Sequence, residues 1–293
     1  MIIIYLQGGL GNQMFQYATA KILSKKANTQ LLIDRDFFKL SKLNKGFTPR
    51  KFELSIFPNE YNFATEEELL RFSPLSLKNR VRKKLNMNYH KIYKEKKMTY
   101  DNNLYNLNAP IYLKGYFQSY KYFIENENYV YELFSFCNIN LENYEQDILT
   151  LILNSESVAI HLRRGDYVYD TTINEIHGVC SNDYYYTAIE SISNLFPNLT
   201  FFIFSDDIEW AKSNFKGNNY IYVEGALGRP SSIDLYLMSC CKHNIIANSS
   251  FSWWAAWLNK NPNKYIICPS KWYAIEDKNC ETIDLIPLTW KRI

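Results

Sequence analysis

MIIIYLQGGLGNQMFQYATAKILSKKANTQLLID, residues 1–34, reads as strand, glycine-rich loop, helix and strand in succession. MIIIYL (1–6) and TQLLID (29–34) are short apolar runs, whereas the apolar positions of MFQYATAKILSKKA (14–27) recur at helical spacing. QGGLGNQ (7–13) supplies the loop between strand and helix. Two strands joined through one helix form a βαβ unit, so this opening predicts a parallel sheet.

The same alternation returns in the second half of the chain. SVAIHL (157–162) reads as a strand, residues 183–196 as a helix, TFFIFSDD (200–207) as a strand and 208–214 as a helix. NYIYVEG (219–225), NIIANSS (244–250) and KYIICP (264–269) read as further strands, with helices at 232–241 and 253–258 between them. Two such regions, 1–150 and 151–293, predict an α/β protein of two Rossmann-like domains facing a cleft. The stretch 40–150 is aromatic and irregular, and within it only IYLKGY (111–116) stands out as a strand.

Composition bounds the function. Hydrophobic residues make up 47% of 293 and charged residues 22%, the balance of an ordinary globular chain rather than a disordered one. A net charge of +3 is too small for a nucleic-acid-binding surface. The 24 Tyr, 18 Phe and 6 Trp suit cores, interfaces and sugar-stacking surfaces alike. Residues 78–97 are crowded with Lys and Arg around a single acid, Glu95. That segment reads as a solvated face or, in a sharper reading, as peripheral contact with an anionic membrane or glycolipid. Cys137, Cys180, Cys240, Cys241, Cys268 and Cys280 show no metal-ligand or disulfide spacing and are expected as thiols. The N-terminal run lacks a basic flank and the length of a signal or a membrane span, so a cytoplasmic location is expected.

Ligands of open parallel sheets bind beyond the carboxyl ends of the strands. Three polar clusters have that address: HLRRGDY (161–167), Ser205 with Asp206 and Asp207, and Asn248 with Ser249 and Ser250. Guanidinium forks match phosphate oxygens and stay charged, which suits Arg163 and Arg164 to a diphosphate. The alternative is that one of them pairs with Asp166 or Asp207 to brace the loop, and Arg163 is the stronger choice for phosphate. His161 is either a core histidine or a contact to a base or phosphate. Asp206 is assigned to guanine, whose N1 and N2 donors a carboxylate accepts as a pair, and Asp207 to a helix N-cap. Ser249 and Ser250 precede a helix, where hydroxyls and free amides either hold an anion or only cap the helix. Trp253, Trp254 and Trp257 read as core.

Two other patterns compete. Gly9 and Gly11 match the first two glycines of a dinucleotide fingerprint, with Met14 at the third, which allows an NAD-dependent oxidoreductase as a rival. Asp34, Arg35 and Asp36 spell DxD, which holds a divalent metal in many sugar transferases; a polar loop is the preferred reading, and no metal is expected. A binding module without catalysis is the remaining rival.

GGLGNQMFQYA (8–18), HLRRGDY (161–167), FSDD (204–207) and DLYLMSCCKHNIIANSSFSWWAAWL (234–258) together resemble the bacterial α-1,2-fucosyltransferases of glycosyltransferase family 11. The blocks recur in order over nearly the whole chain. The resemblance implies a GT-B fold and inverting, metal-independent transfer of L-fucose from GDP-β-L-fucose to the 2-hydroxyl of a galactose-terminated acceptor, such as a surface O-antigen glycan. It implies no cofactor beyond the donor substrate, and another fucosyl linkage is the alternative. It places donor binding in residues 151–293 and the acceptor side in 1–150. Carried over by motif, Arg163 falls on the β-phosphate, with Arg164 beside it, His161 and Asp206 near guanine, and Ser249 and Ser250 by the diphosphate. Gly9, Gly11, Asn12 and Gln13 fall near donor and acceptor. Asp166, Glu175 and His177 are the candidates for the catalytic base, unranked.

Overall fold

The computed structural model describes residues 1–40, 50–73, 77–85, 87, 90–165, 168, 171–225 and 228–293. The chain forms two compact units, Met1–Ser135 with Glu281–Leu285, and Phe136–Cys280 with Ile286–Ile293.

In the first unit β1 (Ile2–Tyr5), α1 (Leu10–Lys26) and β2 (Leu31–Asp34) form the βαβ opening. They are followed by α2 (Asp36–Leu40), α3 (Glu66–Phe72), α4 (Leu77–Lys84), β3 (Lys91–Lys94), β4 (Ile111–Lys114) and α5 (Glu127–Leu133). The sheet is parallel throughout and runs β2-β1-β4-β3. β1 lies inside it, which is why Ile2, Ile3 and Ile4 form a continuous apolar run with no polar alternation. β3 is the edge, where exposed Lys91 and Lys94 discourage pairing with another chain.

Helix α1 starts at Leu10, four residues before the apolar periodicity suggests, so the expected loop is short. Gly8 makes the turn at a φ of +80°, and a Cβ there would meet the Asn12 side chain at 2.5 Å. Gly9 is the N-cap, and Gly11, Asn12 and Gln13 lie in the first turn. Gln13, fully buried, ties the turn before the helix to the segment around residue 52. Its Nε2 donates to the carbonyls of Gly8 (3.0 Å) and Lys51 (2.9 Å), and its Oε1 accepts from the Glu53 amide (3.0 Å). At the other end of the unit, the returning segment is tied in through Asp284. The Asp284 side chain accepts from the Tyr100 amide at 2.9 Å and pairs with Lys121 at 2.5 Å, while its carbonyl accepts from the Tyr120 amide at 3.1 Å.

The second unit contains α6 (Asn143–Leu153), β5 (Glu156–Leu162), α7 (Thr171–His177), α8 (Asn182–Ser193), β6 (Leu199–Ser205), α9 (Ile208–Asn214) and β7 (Tyr220–Tyr222). Then come α10 (Ser231–Cys240), β8 (His243–Ile245), α11 (Ser250–Leu258), β9 (Ile266–Cys268), α12 (Glu276–Asn279) and β10 (Lys291–Arg292). Its six strands are parallel in the order β10-β9-β8-β5-β6-β7. The chain winds outward from β5 through β6 to β7, returns beside β5 as β8, and winds the other way to β10. This is the strand order of a dinucleotide-binding fold, with its reversal between β5 and β8. The α/β expectation of two Rossmann-like units therefore holds.

Val158, Ile160 and Leu162 face Tyr184, Tyr185, Ala188 and Ile192 of α8 in one continuous core. β8 is only three residues long. Beyond it the backbone leaves the sheet, because Ser249 caps α11 by accepting from the Phe251 amide at 3.3 Å. That cap starts the helix at Ser250, earlier than the apolar run suggests. Trp253 stacks on Trp257 at 5.1 Å and meets Trp254 edge-on at 5.1 Å, so the tryptophans build core as expected.

Replacing Gln13 by Ala leaves two carbonyls and one amide, all in partly exposed segments, without their partner. Gln13→Ala should lower unfolding stability by about 1–2 kcal/mol, measured by urea denaturation, since each lost hydrogen bond costs about 0.5 kcal/mol or more where water can reach the stranded group.

Candidate active site

Strand register assembles the site. β5 pairs with β6 so that Leu162 is level with Ser205, which makes Arg163 and Asp206 the next residues out on adjacent strands. On the other side Ile160 is level with Ile245, the last residue of β8, and Asn248 follows it in the segment that leads into α11. The three polar clusters thus stand together at the carboxyl ends of adjacent strands, around the point where the winding reverses.

Arg163 Nη1 donates to Asp206 Oδ2 at 2.5 Å, and the Arg164 amide donates to Asp206 Oδ1 at 2.8 Å. Both carboxylate oxygens of Asp206 are therefore held by the arginine loop. Gly165 is required beside them, because a Cβ there would meet Asp206 Oδ2 at 2.5 Å. Arg164 turns away. Its Nε donates to Asp207 Oδ2 at 3.2 Å, and its guanidinium lies 3.8 Å from the centroid of the Trp210 ring. Asp207 also accepts from the Trp210 amide at 3.2 Å, capping α9 as anticipated, while Ser205 Oγ accepts from the Asp207 amide at 3.0 Å. The two arginines thus divide their roles: Arg164 braces the loop, and Arg163 stands at the strand end with a quarter of its side chain exposed.

His161 lies opposite the α8 core, with its ring centroid 5.7 Å from that of Phe251 in α11. Its carbonyl accepts from the Tyr185 hydroxyl at 3.1 Å. Its Nδ1 is buried and has no hydrogen-bond partner among the described residues. Burial pushes the imidazole down to about 4; Asp206 opposes that shift and Arg163 adds to it. His161 is therefore neutral at neutral pH, and its two ring nitrogens offer one donor and one acceptor.

On the β8 side, Asn248 acts as a clamp. Its Nδ2 donates to the carbonyls of His177 (2.9 Å), Gly178 (3.3 Å) and Trp272 (3.1 Å), and its Oδ1 accepts from the Cys180 thiol at 3.4 Å. Ser249 is buried at the cap, and Ser250 opens the first turn of a helix whose leading amides lack intrahelical partners. The Asn248 clamp fixes the end of α7 near these serines. His177, at that end, packs its ring on Tyr273 at 5.2 Å, and Glu175 is exposed on the same helix. Asp166 lies outside the described residues.

In the first unit, Asn12 Oδ1 accepts from Gln118 Nε2 at 2.7 Å. Asp34 accepts from the Tyr112 hydroxyl at 2.6 Å and from the Asp36 amide at 2.9 Å, and Asp36 pairs with Lys39 at 2.8 Å. The DxD carboxylates are thus engaged by Tyr112 of β4 and by groups of their own loop and helix. Three contributors to the strand-end site escaped the sequence reading: Gly165, Tyr185 and Trp210. Gly165 could have been found from its place between the arginines and an acid; the other two depend on long-range packing.

The sequence profile described as "Glycosyl transferase family 11" matches residues 1–290. An Escherichia coli "Alpha-1,2-colitosyltransferase" is 36% identical over 100% of this chain and 99% of its own length. The "O-antigen biosynthesis glycosyltransferase WbnK" of the same species is 35% identical over 95% of this chain and 97% of its own. A Caenorhabditis elegans "Galactoside 2-alpha-L-fucosyltransferase" is 27% identical over 61% of this chain and 51% of its own. Among solved structures, the NodZ α-1,6-fucosyltransferase soaked with GDP-fucose aligns at 15% identity and a TM-score of 0.45, over 88% of this chain and 92% of that one. The chain belongs to glycosyltransferase family 11.

The buried neutral imidazole has a pH signature. With a folded value near 4 and an ordinary value of 6.5, the unfolded chain binds the extra proton first. Its contribution to stability is full above pH 6.5 and is lost as pH falls through 4. The His161 ring should stay neutral in NMR titration down to about pH 4, and His161→Gln should flatten the stability slope between those values.

Proposed function

We propose that this family 11 member transfers L-fucose from GDP-β-L-fucose to the 2-hydroxyl of a galactose-terminated glycan, with inversion and without a metal ion. The observation that carries the reading is Arg163, fixed by Asp206 at the end of β5, with the segment that follows the neighbouring strand β8 leading through Asn248 and the serines into α11. A guanidinium preorganised there gains most from a diphosphate whose negative charge grows as the sugar bond breaks, so it stabilises the transition state more than the ground state. A relative named as a galactoside 2-α-L-fucosyltransferase and another named as an α-1,2-colitosyltransferase support the α-1,2 linkage. Family membership also removes the ground for an NAD-dependent oxidoreductase or a module that only binds.

In this reading Arg163 takes the β-phosphate, and Ser249, Ser250 and the first-turn amides of α11 take the remaining diphosphate oxygens. His161 and Asp206 read the guanine. Asp206 accepts from the N1 and N2 donors of the base through the acceptor sites that Arg163 and the Arg164 amide leave unused, so the guanidinium stays oriented. Arg164, held by Asp207 and Trp210, keeps the loop in place. Gly9, Gly11 and Asn12 serve donor and acceptor, with Gln13 holding their turn in shape. The base that accepts the proton of the acceptor hydroxyl comes from Asp166, Glu175 or His177. Donor binding belongs to residues 151–293 and acceptor binding to 1–150.

The relative matched over its full length favours a second reading, transfer of colitose, the 3-deoxy counterpart of fucose. A site that hydrogen-bonds the 3-hydroxyl rejects the deoxy sugar strongly, whereas an apolar site accepts both. The ratio of kcat/KM for the two GDP-sugars separates the readings.

Incubation with GDP-fucose and a β-galactoside should release GDP and yield a 2-linked product by NMR, undiminished by EDTA. Arg163→Ala should lower kcat by about 10² to 10³ with little change in thermal midpoint, the usual effect of removing one preorganised electrostatic contact. Activity lost in chelator and restored by manganese would overturn the metal-free reading.

A further inference from the structure

We infer that helix α4 (Leu77–Lys84) of the first unit is a membrane-docking element whose partner is an anionic lipid bilayer. Leu77, Val81 and Leu85 are 74%, 55% and 63% exposed, and Met87, just beyond, is 55% exposed. Spacing of four residues places the first three on one helix face. Scattered exposed apolar residues are ordinary, but here they form one stripe inside a dense positive field. LKNRVRKK contains five cations and no acid, and no Asp or Glu occurs from residue 73 to 94. Arg80, Arg82 and Lys84 are exposed.

Charge complementarity chooses the occupant. An apolar stripe flanked by Lys and Arg lies in the interface of a bilayer, with its apolar side chains at the acyl boundary and its cations among anionic headgroups. A neutral apolar partner would leave those cations desolvated against no counter-charge. The helix is short, so attachment is reversible and depends on charge, each Lys or Arg near the surface contributing about fivefold to binding. Among the described residues no helix is long and apolar enough to cross a membrane, so contact of this kind is peripheral. The inference does not depend on which sugar is transferred.

The test uses the full chain with phosphatidylcholine vesicles, with and without phosphatidylglycerol. Cosedimentation should require the anionic lipid and weaken with added salt. Arg80→Glu with Arg82→Glu should weaken binding by at least about 25-fold, from two lost cations alone. Leu77→Ser with Leu85→Ser should weaken it while leaving the salt dependence in place. A Val81→Trp reporter should shift its fluorescence to the blue on vesicles containing phosphatidylglycerol and not on neutral ones. All three variants should keep the parent thermal midpoint, because the altered side chains are exposed. No binding, equal binding to neutral vesicles, or binding unchanged by the charge reversal would overturn the inference. So would concentration-dependent self-association abolished by the serine variant, which would make a second copy the occupant.

Discussion

The pairing of β5 with β6 is the constraint on which the site depends. Seven residues of each strand are locked in parallel register, ending with Leu162 opposite Ser205. A slip of one residue would turn His161 into the α8 core and separate Arg163 from Asp206. The register is secured by burial, because Val158, Ile160 and Leu162 fill the side facing α8 while His161 points the other way. A charged group at a strand end is thus positioned by apolar residues that never touch it. The sheet order adds the second half of the arrangement by placing β8 next to β5 without a connection that would cover their ends.

Within that frame the two adjacent arginines behave differently because their neighbours differ. Arg164 has a carboxylate and an indole face and is held by both. Arg163 shares one carboxylate with the backbone of its own loop. That bond keeps the guanidinium oriented without leaving its charge uncompensated. The neutral His161 beside it follows from the same surroundings, since a second cation in that buried position would be disfavoured both by desolvation and by Arg163.

Much of this was legible in the sequence. The alternation of apolar runs and helical periodicity located β1, β5, β6 and α9 closely, and polar residues after the strands marked three clusters that follow neighbouring strands of one sheet. What was not legible depends on residues distant in the chain. The start of α1 is set by Gln13 bonding to Lys51 and Glu53, contacts that no local pattern announces. Asn248 looks like part of a polar cluster, yet its amide is committed to three carbonyls from two separate segments. β3, KIYK, is an exposed edge strand in a basic stretch and carries no apolar alternation to reveal it. β10 is two residues long and exists only because β9 offers it an edge.

The return of Glu281–Leu285 to the first unit, directly before Ile286–Ile293 of the second, makes both units depend on one short stretch of chain. Asp284 ties together the Tyr100 and Tyr120 segments, and the residues that follow it complete the sheet of the second unit. During synthesis neither unit can finish folding until residues 281–293 have emerged from the ribosome, although most of each has emerged before them. A nascent chain stalled near residue 280 would therefore expose two unfinished cores to the quality-control machinery at once.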